Sequence, residues 1–286
     1  MKFGFVTCVE LGMACMREIY RIGGALDLAI TLPDDFASNK SGRVCLDSFC
    51  REHAIPLCKG RSINDPAVIE RIREAGIDWL FIIGWSQIAK AEVLAAPRLG
   101  ALGMHPTLLP EGRGRAPIPW AILKGLDRTG VTLFRLDAGV DSGEIVEQIE
   151  LPLAPNETAT TLYQRVAAAH EELIARAWPK LLQGTCRFQP QDASKATIWP
   201  KRSPEDGALN REMDCVTADR LVRATTHPYP GAFFDTDGVR YRIWRGRAVP
   251  HASTQIPTES SPLVIGLRDG AYVALDWAKE ERPRPS

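Results

Sequence analysis

The chain has 286 residues, 45% hydrophobic and 24% charged, with Lys plus Arg and Asp plus Glu balanced at 35 each. That length accommodates one substantial core and a smaller appended unit. Zero formal net charge argues against a protein built to grip nucleic-acid backbone, which needs a basic face.

At the amino terminus, Glu10 ends a short apolar run before signal-peptide length, and no apolar stretch approaches a membrane span. A cytoplasmic location without a membrane partner is expected. The seven cysteines are irregularly spaced, with no Cys-x-x-Cys pair and no histidines at ligand spacing. They read as reduced, mostly packing thiols, and no metal is expected.

In chain order, Phe3 to Cys8 reads as a buried strand, about Glu10 to Arg21 as a helix, and Leu26 to Leu32 as a second strand. Pro33 to Arg43 is a polar loop. A helix near Val44 to His53 and a strand near Ile55 to Cys58 follow. The next helix is expected to start at an Asn64 cap and reach Ala75. The apolar middle of Asp78 to Trp85 suits a strand covered on both faces. Another strand should end near Gly103 to His105, followed by a loop to Arg115 and a short helix over Ala116 to Lys124. Strands are expected at Gly130 to Leu136 and Glu144 to Leu151, and a long helix over Thr158 to Leu182.

This alternation predicts an α/β fold, a Rossmann-like, mostly parallel sheet flanked by helices. Proline, lysine and serine accumulate at Pro190 to Glu205, so the expected organisation is residues 1–188, a linker at 189–205, and a second domain at 206–286. That second domain reads as a helix over Thr217 to Thr226, a Pro-Tyr-Pro-Gly turn, and short strands near 232–235, 240–244, 263–267 and 272–275. Such spacing suggests a smaller C-terminal β-rich, OB-like barrel. The charged, proline-rich tail from Lys279 is expected to fray.

Residues at the carboxyl ends of strands line the crevice of an open α/β sheet. His105 ends one expected strand, and Asp141 lies in the loop after another. A histidine held by a carboxylate suits proton transfer near neutral pH. Either residue alone is more often a packing or surface group, and no spacing rule makes them neighbours.

Gly103-Met104-His105-Pro106-Thr107-Leu108-Leu109-Pro110, with Arg113-Gly114, Ala116-Pro117-Ile118 and Asp141-Ser142-Gly143 downstream, resembles the core pattern of the formyltransferases that use 10-formyltetrahydrofolate. The resemblance covers roughly Met1 to Gly184 and extends weakly beyond. It implies a formyl group moved from 10-formyltetrahydrofolate, as co-substrate, to a primary amine. His105 would handle the proton and Asp141 would orient and support it. It also places the folate pterin between the loop of Trp85, Gln87 and Ile88 and the loop from Asp137 through Gly139 to Asp141. One departure stands out: the family's asparagine position is Gly103, which has no side chain to donate to the developing oxyanion. Thr107, a backbone N–H or a water is left to do so, or the pocket only binds.

Net charge and the short Pro33 to Arg43 loop fit tRNA poorly, whereas Thr226 to Phe233 resembles the matching part of sugar-nucleotide formyltransferases. An amino-sugar nucleotide is therefore the expected partner. A methionyl-tRNA formyltransferase, a folate hydrolase and a catalytically impaired folate- or nucleotide-binding protein are the alternatives. Arg113 and Arg115, just before a helix start, and Lys40 and Arg43 are candidates for the diphosphate. Glu10 is a candidate for holding the amine. A homodimer is left open.

Overall fold

A computed structural model describes residues 1–36, 42–251 and 263–281. In chain order the elements are β1 (Phe3–Val6), α1 (Glu10–Arg21), β2 (Leu28–Thr31), α2 (Asp47–Glu52), β3 (Leu57–Lys59), α3 (Pro66–Ala75) and β4 (Trp79–Ile82). Then come α4 (Ala91–Leu94), β5 (Gly100–His105), β6 (Arg113–Gly114), α5 (Pro117–Leu123), β7 (Arg128–Arg135), β8 (Ile145–Pro152) and α6 (Ala159–Leu182). The remainder is β9 (Ile198–Trp199), α7 (Cys215–Thr225), β10 (Ala232–Thr236), β11 (Val239–Pro250), β12 (Leu263–Leu267) and β13 (Gly270–Glu281).

The chain divides into two compact units. The first comprises Met1–Gly114, Gly130–Leu151 and Arg165–Ile198. Its sheet runs β3-β2-β1-β4-β5-β7-β8. The five strands from β3 to β5 are parallel, and β7 adds antiparallel to β5. Strand order therefore reverses between β1 and β4, the switch point where such sheets open a ligand crevice. β1, β2 and β4 are buried at every residue, which is why they read as unbroken apolar runs rather than alternating ones. From α1, Met13, Cys15, Met16 and Ile19 are buried.

Asn64 is not the cap of α3. Asp65 occupies that position with Pro66 after it. The Asn64 amide instead donates to the Ile88 carbonyl at 2.9 Å, and its oxygen accepts from Lys90 N–H at 2.8 Å.

The second unit comprises Arg115–Thr129, Pro152–Gln164 and Trp199–Ser286. Its antiparallel sheet is ordered β10-β11-β13-β12. The Asp214 carboxylate caps α7 by accepting from Thr217 N–H at 2.7 Å. Leu221 and Val222 of α7 join Ile243, Ile265 and Tyr272 in one buried cluster. β11 and β13 are much longer than the alternating pattern suggests. A register shift between Ile243 and Arg245 interrupts the period of two, so alternation ends there although pairing continues. The same pairing keeps Lys279 and Glu280 in β13, opposite Tyr241 and Arg240. The expected fraying thus does not begin at Lys279.

Candidate functional site

His105 closes β5 and is buried. Its Nε2 lies 2.8 Å from the Gly112 carbonyl oxygen. A carbonyl only accepts, so Nε2 carries the ring proton and the neutral imidazole keeps its lone pair on Nδ1. Nδ1 faces Asp141 Oδ2 at 3.7 Å. That is too long for a hydrogen bond, yet close enough to stabilise a second proton on the ring.

Asp141 sits in a left-handed conformation, φ 49°, which aspartate tolerates better than most residues. Its Oδ2 accepts the Gly114 N–H at 2.8 Å. The loop after β7 thus folds back over β5 and brings together two residues 36 positions apart. The arrangement can take a proton at Nδ1 and hold the resulting cation against a carboxylate.

At Gly103, a Cβ would stand 2.8 Å from Leu136 Cδ2 and 3.2 Å from its Cγ. A side chain at residue 103 would therefore require the half-buried Leu136 to move. Thr107 Oγ1 has no hydrogen-bond partner and no solvent access. His170 is buried in α6, with Nδ1 2.7 Å from the Val166 carbonyl. Burial pulls its pKa down to about 4 against the opposing Val166 hydrogen bond, with His105 adding to the lowering, so it stays neutral.

Of the residues suggested for the folate, Gln87 turns inward. Its Oε1 accepts from Ile63 N–H at 3.0 Å and its Nε2 donates to the Arg61 carbonyl at 2.8 Å. Trp85 is partly buried against Cys8 and Leu32, with its indole N–H unpartnered. Ile88 is 74% exposed. Asp137 braces its own loop, accepting from Gly139 N–H at 3.0 Å and from the Ser142 hydroxyl at 2.9 Å. Val140, on the same loop and missed in the sequence, is 59% exposed.

The charged candidates separate. The Arg43 guanidinium is committed to Thr31, the Leu32 carbonyl and Asp34. Glu10 pairs with Arg17 at 2.5 Å. Arg113 gives two hydrogen bonds to Gln191 Oε1, at 3.1 and 2.7 Å. Arg115 is exposed. Lys40 lies outside the described residues. A cluster of Asp34, Cys45 and Asp47 is occupied by Lys59, whose ammonium pairs with Asp34 at 3.0 Å and Asp47 at 2.8 Å.

No helix among the described residues is long and apolar enough to cross a membrane. The fold is similar to that of the sugar 3N-formyl transferase WlaRD, solved in the presence of dTDP and 5-N-formyl-THF, at TM-score 0.71 and 16% identity over 99% of both chains. An N-formyltransferase from Helicobacter canadensis, in complex with folinic acid and dTDP-3-aminofucose, matches at 0.71 and 16% over 97% of this chain and 100% of that one. Methionyl-tRNA formyltransferase from Clostridium thermocellum matches at 0.63 and 16% over 99% and 100%. The family model "Formyl transferase" matches residues 34–178, and "Formyl transferase, C-terminal domain" matches residues 201–280. With His105 and Asp141 inside the first of these matches, the chain belongs to the formyl transferase family and is a formyl-transferring enzyme.

Proposed function

We propose that the enzyme moves the formyl group of 10-formyltetrahydrofolate to the amino group of a nucleotide-linked amino sugar. The observation that carries the reading is the end-to-end match to two sugar formyltransferases, one of them holding a dTDP-amino sugar together with folinic acid. Exposed Ile88 and Val140 on the loops after β4 and β7 fit the apolar faces of a pterin, since exposed apolar side chains beside a crevice favour flat ligands. The co-substrate supplies the activated formyl carbon. The chain's own residues manage the proton: as the amine nitrogen bonds to the formyl carbon it gives a proton to His105 Nδ1, Asp141 stabilises the imidazolium so formed, and that proton passes to N10 as its bond to the formyl carbon breaks and tetrahydrofolate leaves. Gly103 has no side chain to donate, so the Thr107 hydroxyl, a backbone N–H or a water is left for the formyl oxygen.

A second reading, transfer to aminoacyl-tRNA, draws on β11. Its register shift returns Arg245 and Arg247 to the face that carries Arg240 and Arg242. Arg240 and Arg242 are paired with Asp235 and Glu280, whereas Arg245 and Arg247 are exposed. That leaves a small basic stripe, against a chain of zero net charge.

The test is formyl transfer from 10-formyltetrahydrofolate to dTDP-3-aminofucose, to a UDP-linked 4-amino sugar and to charged initiator tRNA. Transfer to a sugar nucleotide is expected, and transfer to the tRNA alone would overturn the sugar reading. Consumption of the donor without any acceptor would instead identify a hydrolase.

A further inference from the structure

The segment after α6 has the composition of a linker, yet its side chains reach the two loops that orient His105 and Asp141. Gln191 Nε2 donates to the Asp141 carbonyl at 2.9 Å and to the Gly143 carbonyl at 2.7 Å. Its Oε1 is fixed by the paired hydrogen bonds from Arg113. Six residues on, Thr197 Oγ1 accepts the Gly112 N–H at 2.8 Å, and the Thr197 carbonyl accepts the Arg113 N–H at 2.9 Å. Gly112 is the residue whose carbonyl fixes the His105 tautomer.

We propose that Gln191 is a positioning residue for the reaction: it holds Asp141 in its left-handed conformation, while Thr197 holds the carbonyl that orients His105. The inference rests on the reading of His105 and Asp141 as the proton-handling pair. The physical need is specific. A left-handed aspartate relaxes to commoner backbone angles unless its neighbours over-determine it, and such a relaxation would carry the carboxylate away from Nδ1. One carboxamide bridging two carbonyls of the turn supplies that constraint. Because both donors come from a single planar group, Arg113 aligns both bonds at once by holding the opposite side of the amide. Arg113 therefore acts on the geometry of the site through Gln191.

Two substitutions separate the roles. Gln191→Glu keeps an acceptor for Arg113 but removes both donors, and Gln191→Ala removes everything. The chain has five histidines, so 15N-histidine spectra of the ligand-free protein can follow the His105 ring, assigned by its loss in His105→Gln. Asp141→Asn should displace the His105 signals. Both Gln191 variants should displace them in the same direction, with the His170 signals unmoved and the melting temperature within about 3 °C. With 10-formyltetrahydrofolate and dTDP-3-aminofucose, kcat should fall about tenfold or more at nearly constant KM. In an Asp141→Asn background, Gln191→Glu should cost little further, because residues acting through one another are not additive. Unmoved His105 signals in both Gln191 variants would overturn the positioning role. Unmoved signals in Asp141→Asn would instead remove the pair itself.

Discussion

Leu136 stands where a side chain on Gly103 would have to go: a Cβ there would be 2.8 Å from Leu136 Cδ2. The glycine and the leucine are therefore one packing solution. Gly103→Asn alone should cost about 1–3 kcal/mol through overpacking, read as a lower denaturation midpoint. Adding Leu136→Ala should recover part of that loss, with a coupling of about 1 kcal/mol or more in the double-mutant cycle. Strictly additive effects would show that the two side chains do not compete for one volume.

His105→Ala should lower kcat by about 10²–10⁴-fold, the usual contribution of a positioned acid–base group, with the fold retained by circular dichroism. Asp141→Asn should lower it by about tenfold or more. Asparagine tolerates the left-handed backbone, so the loss would reflect charge rather than geometry. Full activity in His105→Ala removes the proposed proton path.

Thr107→Val keeps the shape and deletes a hydroxyl that has neither a partner nor solvent. An unsatisfied buried hydroxyl costs about 1–3 kcal/mol. The variant should accordingly be as stable as the parent or more so, with kcat within about threefold. A large fall in kcat at undiminished stability would place Thr107 at the transition state.

His170 contributes an acid lability whose sign is fixed by its depressed pKa, about 4 against an ordinary 6.5. Below about pH 6.5 the unfolded chain binds a proton that the native ring refuses, so this stability is present above that pH and lost as pH falls toward 4. Between pH 7.5 and 5 the loss is about 2 kcal/mol. His170→Leu should flatten the stability profile by that amount in chemical denaturation. An unchanged slope would show that the ring titrates freely in the folded state.

The parallel core was legible because β1, β2 and β4 are buried on both faces and read as unbroken apolar runs. The residues proposed to shape the site were not. Gln191 lies in a polar segment with no periodicity, and its Nε2 donates to backbone carbonyls, which leave no mark on residue identity. Leu136 reads as the last residue of a strand, and only the antiparallel pairing of β7 with β5, which continues through Leu136 N–H to the Ala101 carbonyl at 2.8 Å, places it beside Gly103. The resemblance offers Gln87 as a folate contact and its charge offers Arg43 for the diphosphate, but neither signal carries the long-range hydrogen bonds of Gln87 to Ile63 and Arg61 or of Arg43 to Thr31, Leu32 and Asp34. Asn64 reads as a cap from its local position and instead reaches 24 residues ahead.

That reach has a kinetic consequence. The Asn64 and Gln87 carboxamides staple the stretch around Ile88 at two points, so the bare isoleucine is displayed on a frame already set before any encounter. On the proposed reading of Ile88 as a donor contact, capture of the one-carbon donor forfeits little chain entropy at this surface. Its association should be a single fast phase, and severing either staple should slow or split that phase while the chemical step keeps its rate.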